Sequence, residues 1–65
     1  MKSDRKTRRE LLPRILGTYR GRRSELDRTP IETLCEEFRY PNGGAPRWET
    51  MHTAKTLALS HLSRA

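Results

Sequence analysis

Residues 29–40 read Thr-Pro-Ile-Glu-Thr-Leu-Cys-Glu-Glu-Phe-Arg-Tyr, and they hold the best-marked helix in the chain. Thr29 stands where an N-cap belongs, Pro30 at the first helical position and Glu32 three residues after the cap. In that arrangement the threonine oxygen accepts from the third residue's N–H, while the glutamate reaches back to the cap. Ile31, Leu34, Cys35 and Phe38 then share one face at helical spacing, and Glu32, Glu36 and Glu37 point elsewhere. Pro41-Asn42-Gly43-Gly44 is helix-breaking chemistry, so the spacing predicts a helix over about 30–39.

Downstream, Pro46 suits the first turn of another helix, and Glu49 favours its positive N-terminal end. Trp48, Met51, Ala54, Ala58 and Leu62 form a helix-period stripe, which Leu57 and Leu59 widen. No Gly or Pro interrupts residues 47–65, so this helix runs to about residue 63. Asn42-Gly43 also suits a hairpin turn, but Phe38–Tyr40 and Trp48 make poor flanking strands.

Upstream, Thr7-Arg8-Arg9-Glu10 has the form of a capping box, and Leu12, Ile15, Leu16 and Tyr19 repeat at helical spacing. Pro13 removes the N–H that would bond the Arg9 carbonyl and clashes with that carbonyl. A helix over about 5–19, kinked at Pro13, is expected, with Gly17, Gly21, Arg22 and Arg23 weakening its end. The expected architecture is all-α: one small domain over 1–65, a three-helix bundle with a basic, Pro-kinked first helix. Residues 1–6 are polar enough to fray.

The chain has 65 residues, 32% of them hydrophobic, and a formal charge of +6. A domain this short buries only about 60% of the surface its unfolded chain exposes. It holds few large apolar residues, and its single cysteine, Cys35, excludes an internal disulfide. Self-association or a partner is therefore the expected source of added stability, as a dimer or a partner-binder. No apolar run approaches the roughly 18 residues of a spanning helix. No secretory leader is legible, and a lone cysteine suits a reducing compartment, so a soluble, cytoplasmic protein is expected.

The charge is unevenly placed. Residues 1–23 hold nine basic residues against Asp4 and Glu10, a net +7, whereas residues 24–65 sum to −1. Such asymmetry reads as a polyanion-binding arm on a near-neutral body, with a merely solvated basic segment as the plainer alternative. Arginine outnumbers lysine eleven to three. The planar guanidinium suits bidentate contact with phosphate, guanine or a partner's carboxylates.

Catalytic chemistry finds little here. His52 and His61 are nine residues apart, which on one helix puts them on opposite faces, so they do not chelate one metal together. Cys35 lacks the second cysteine of a zinc spacing and sits on an apolar stripe, the place of a small core residue. Asn42-Gly43-Gly44 has neither the spacing nor the lysine of a phosphate-binding loop. No enzyme, metal or cofactor is expected.

A non-enzymatic regulator is the expected class. Its candidate nucleic-acid contacts are Arg5, Lys6, Arg8, Arg9, Arg14, Arg20, Arg22 and Arg23, with DNA or RNA as the partner. In a helix-turn-helix variant, Arg47, Glu49, Thr50, Thr53 and Lys55 would face base edges, but residues 40–46 make a long connection for that motif. The alternative is an antirepressor-like inhibitor that docks on a nucleic-acid-binding protein through Trp48, Leu57, Leu59 and Leu62. For Trp48 itself, closure of the small core is the first expectation. A membrane-surface role is weaker still, because the first helix has a short apolar face broken by Pro13.

Overall fold

The computed structural model describes residues 7–63. A π-helical turn, Thr7–Leu11, runs into helix α1, Leu12–Thr18; α2 is Arg23–Arg28, α3 is Ile31–Glu37 and α4 is Trp48–Ser63. The described residues contain no strand, and the all-α class stands. They contain four α-helices where the sequence predicts three.

The additional helix, α2, buries only Leu26 among its six residues. One apolar residue makes no periodic pattern, so nothing in its spacing announces a helix. Its presence also changes the role of Thr29. The expected capping box at the start of α3 does not form: Pro30 is the N-cap residue and no side chain caps it. Thr29 instead closes α2, its N–H donating to the Glu25 and Leu26 carbonyls and its hydroxyl donating to the Glu25 carbonyl at 2.7 Å. The Thr29 hydroxyl is thus turned back onto the end of α2, and the first turn of α3 is left without a side-chain cap.

The first helix, expected over about 5–19 with a kink at Pro13, is a π turn followed directly by α1 among the described residues. The π turn ends at Leu11, and Pro13 falls in the first turn of α1. That is where a missing N–H costs least. A π turn is a local widening of the α ladder, and it lies immediately before the residue that cannot donate to that ladder.

The sixteen-residue α4 is the common wall of the structure. The π turn, α1, α2 and α3 all pack against it. Its inner face is Met51, Ala54 and Ala58, each fully buried. Against it lie Leu11, Ile15 and Tyr19 from one side and Leu26, Ile31, Leu34 and Phe38 from the other. Leu12, Leu16, Cys35, Tyr40, Leu59 and Leu62 form a half-buried margin. Trp48 is not part of this core: it is 50% exposed, against the expectation that it closes the core.

The connection between α3 and α4 is a stitched loop. The Tyr40 N–H donates to the Gly44 carbonyl at 2.7 Å and the Gly43 N–H to the Tyr40 carbonyl at 3.0 Å. Gly43 has φ +95°, where an L side chain is strained. The Asn42-Gly43 pair therefore makes its tight turn, but no strands flank it. Among the described residues no helix is long and apolar enough to cross a membrane.

Two substitutions test this packing. Leu26→Ala should cost about 2–5 kcal/mol by leaving a cavity under α2. Ala58→Leu should cost about 1–3 kcal/mol by forcing α4 away from its neighbours. Urea midpoints with an unchanged m-value are the measurement; a midpoint unmoved by Leu26→Ala would remove α2 from the core.

Candidate nucleic-acid interface

The arginines of the first third differ in what holds them. Arg9 and Arg20 are exposed, and no carboxylate among the described residues pairs with either. Arg14 crosses to the end of α3, where Nη1 donates to the Arg39 carbonyl at 3.2 Å and the guanidinium lies 5.5 Å from the centre of the Phe38 ring. Arg22 folds back over Tyr19, its Nη2 donating to the Thr18 carbonyl at 2.7 Å and its Nη1 to Glu25 at 2.8 Å. Arg23 reaches α4, its Nε donating to the Leu59 carbonyl at 3.2 Å. Arg5 and Lys6 lie outside the described residues, as does the Arg8 side chain.

Arg14, Arg22 and Arg23 are thus fixed by backbone carbonyls but remain exposed. A guanidinium carries five N–H donors, so one or two internal bonds leave several directed outward. A side chain already held loses less entropy when it meets a ligand. The described residues hold two ion pairs, Arg22–Glu25 and Arg39–Glu36. Both are solvent-exposed, a setting in which an ion pair stabilises little. Most of the basic side chains among the described residues lack an ion-pair partner, as do most of the acidic ones.

Sequence reasoning placed the cations in the first third, named Arg47 and Lys55 only for a helix-turn-helix, and passed over Arg28 and Arg39. Arg28, Arg39 and Arg47 are exposed. Nearby glutamates balance them in a residue count, but only Arg39 pairs with one, at 3.3 Å from Glu36. Lys55 has a different role: its Nζ donates to the Asp27 carbonyl at 3.1 Å and to the Thr29 carbonyl at 2.6 Å. It caps the C-terminal end of α2, where a cation is favourable. That use removes Lys55 from the surface a helix-turn-helix would offer, and Thr50 is half-buried.

The apolar candidates also separate. Leu59 and Leu62 pack against the core, Leu57 is half-buried and Trp48 is exposed. Trp48 stacks on His52, one turn along α4, with ring centres 5.2 Å apart and planes 15° apart. Beside α2, an open cleft of about 400 Å³ is lined by Tyr19, Arg22, Glu25, Arg28, Thr33 and Glu37 among others. Its two cations face two carboxylates, so it presents no net charge to a ligand.

Burial pushes up the Tyr19 phenol, reinforced by its hydrogen bond to Glu37 at 2.7 Å and opposed by Thr29 and Arg22. Burial also raises Tyr40, with Glu10 adding to the shift and Arg14 opposing it. The Cys35 thiol is raised by burial and then by Glu32 and Glu36, the opposite of what activates a nucleophile. Among the described residues no three His, Cys, Asp or Glu side chains come together to hold a metal ion. No protein-family model, curated protein or solved structure matches the chain.

These three raised acids set an alkaline limit. Each gives up its proton more readily when unfolded, so stability is fully present at neutral pH. It falls as pH rises through the ordinary values, 9.0 for the thiol and 10.0 for the phenols, towards the folded ones. Urea midpoints should drop between about pH 8 and pH 11, and less steeply in Tyr19→Phe. A midpoint flat across that range would contradict the assignment.

Proposed function

We propose that the chain is a small non-enzymatic regulator that binds nucleic acid through its arginine-rich first third. The observation that carries this reading is the imbalance at the surface. Arg9, Arg14, Arg20, Arg22 and Arg23 are all exposed, and of these only Arg22 is paired with a carboxylate among the described residues. Surface cations not neutralised by a carboxylate release counterions when they meet phosphates, and that release drives polyanion binding. Arg5, Lys6 and Arg8 would extend the same positive surface. The open, charge-balanced cleft beside α2 gives a small substrate little enclosure, which favours a binding role over an enzymatic one.

The alternative, an antirepressor-like inhibitor of a nucleic-acid-binding protein, has less on its side. Two of the four residues it relies on, Leu59 and Leu62, are engaged with the core, which leaves Trp48 and Leu57. Self-association remains part of the proposal, since the core is small for a 65-residue chain.

Salt dependence is the direct test. Affinity for a labelled oligonucleotide should fall linearly on a log–log plot against salt. Replacing Arg9 and Arg20 with Ala should reduce that slope by roughly one unit per arginine. Because both side chains are exposed, the thermal midpoint should stay within a few degrees of the parent. An affinity independent of salt, or no binding at low salt, would reject the reading. Sedimentation in the same buffers checks association.

A further inference from the structure

The exposed Trp48 stands apart from an ordinary hydrophobic patch. It is the exposed large apolar side chain of the described residues, and its neighbours Arg47, Glu49, His52 and Thr53 are exposed and polar. A protein interface of standard size covers about 800 Å² on each partner, around an apolar centre. One ring in polar surroundings does not provide such a centre. His52 stacks against the indole, and half of Trp48 stays open to solvent. A flat aromatic surface held at the first turn of a long helix is what a nucleobase needs, because every base has a π-face to offer.

The end of α3 and the start of α4 carry cations as well. Arg14 and Arg39 meet where the Arg14 guanidinium bonds the Arg39 carbonyl. Carboxylates lie there too: Arg39 pairs with Glu36 at 3.3 Å, and Tyr40 feels Glu10 as well as Arg14 and the Cys35 thiol. Cys35 Sγ in turn lies 3.9 Å from the carbonyl of Arg47, the residue before Trp48. Arg47, exposed and without a carboxylate partner among the described residues, is the cation adjoining this platform in the chain. A charged track beside a stacking ring is the general arrangement by which single strands are held without sequence preference.

We propose that Trp48, supported by His52 and flanked by Arg47, stacks an unpaired base of single-stranded nucleic acid. This rests on the nucleic-acid reading above and narrows its ligand from any polyanion to a single strand. Bases paired in a duplex are stacked on one another and have no free face, so the duplex makes only the phosphate contacts.

Trp48 is the sole tryptophan, which makes its emission a direct probe. The full chain is titrated with a short single-stranded oligonucleotide, as DNA and as RNA, with the matching duplex, and with linear polyphosphate as a base-free polyanion. Single strands should quench the emission strongly and polyphosphate should not. By anisotropy of a labelled strand, Trp48→Ala should weaken single-strand binding roughly tenfold, with polyphosphate affinity changed less than twofold. Trp48→Phe should retain most of the affinity. Circular dichroism confirms that the variants fold, as the position outside the core requires.

If Trp48→Ala binds single strands like the parent while Arg9→Ala/Arg20→Ala does not, the stacking site is wrong and the arginine reading stands. Binding of no polyanion at all would overturn both. A parent dimer that Trp48→Ala converts to monomer would overturn the stacking site in favour of self-association.

Discussion

The fold depends on how closely other helices can approach the inner face of α4. That face is built from Met51, Ala54 and Ala58, and two of these three contribute only a methyl group. Small residues let neighbouring backbones come near, so the larger side chains of the π turn, α1, α2 and α3 meet over one wall. None of those elements has more than seven residues. Isolated helices of that length are unstable in water, because nucleation consumes more freedom than the few hydrogen bonds return. Their helicity is a consequence of the wall they share.

Short helices have a second problem, since a large fraction of their carbonyls lie at unpaired ends. The chain answers it with cations. Arg22 bonds the Thr18 carbonyl at the end of α1, Lys55 bonds the Asp27 and Thr29 carbonyls at the end of α2, and Arg14 bonds the Arg39 carbonyl just beyond α3. Arg39 does the same for Gly43 in the loop. The arginine content thus serves the structure while remaining exposed. A carbonyl engages a guanidinium without neutralising it, so the positive surface survives the use made of it.

What could be read from the sequence follows from this division. The helix over 48–63 was legible because sixteen residues display several apolar repeats without a breaker. The α3 stripe of Ile31, Leu34, Cys35 and Phe38 was legible for the same reason, although its cap was not. Thr29 has chemistry suited to either neighbour, and only the existence of α2 decides which one it serves. That helix has one apolar residue, Leu26, and no periodicity to reveal it. At the candidate interface, the charge of residues 9–23 was plain, but its distribution was not. Contacts such as Arg23 to Leu59 span 36 residues, and nothing local encodes them. Trp48 was misjudged because a large apolar ring on an apolar stripe normally goes inward; at the first turn of α4 it is left half-exposed and stacked on His52.

The position of α4 in the chain has a consequence for synthesis. Proteins emerge from the ribosome N-terminal end first. Residues 7–37 therefore leave it carrying Leu11, Ile15, Tyr19, Leu26 and Leu34, while the wall that covers them, Met51 to Ala58, has not yet been made. Through that interval the nascent segment is basic, apolar in patches and unable to fold. Like charge on neighbouring segments opposes their association, so the positive charge of residues 7–23 has a use before α4 is made.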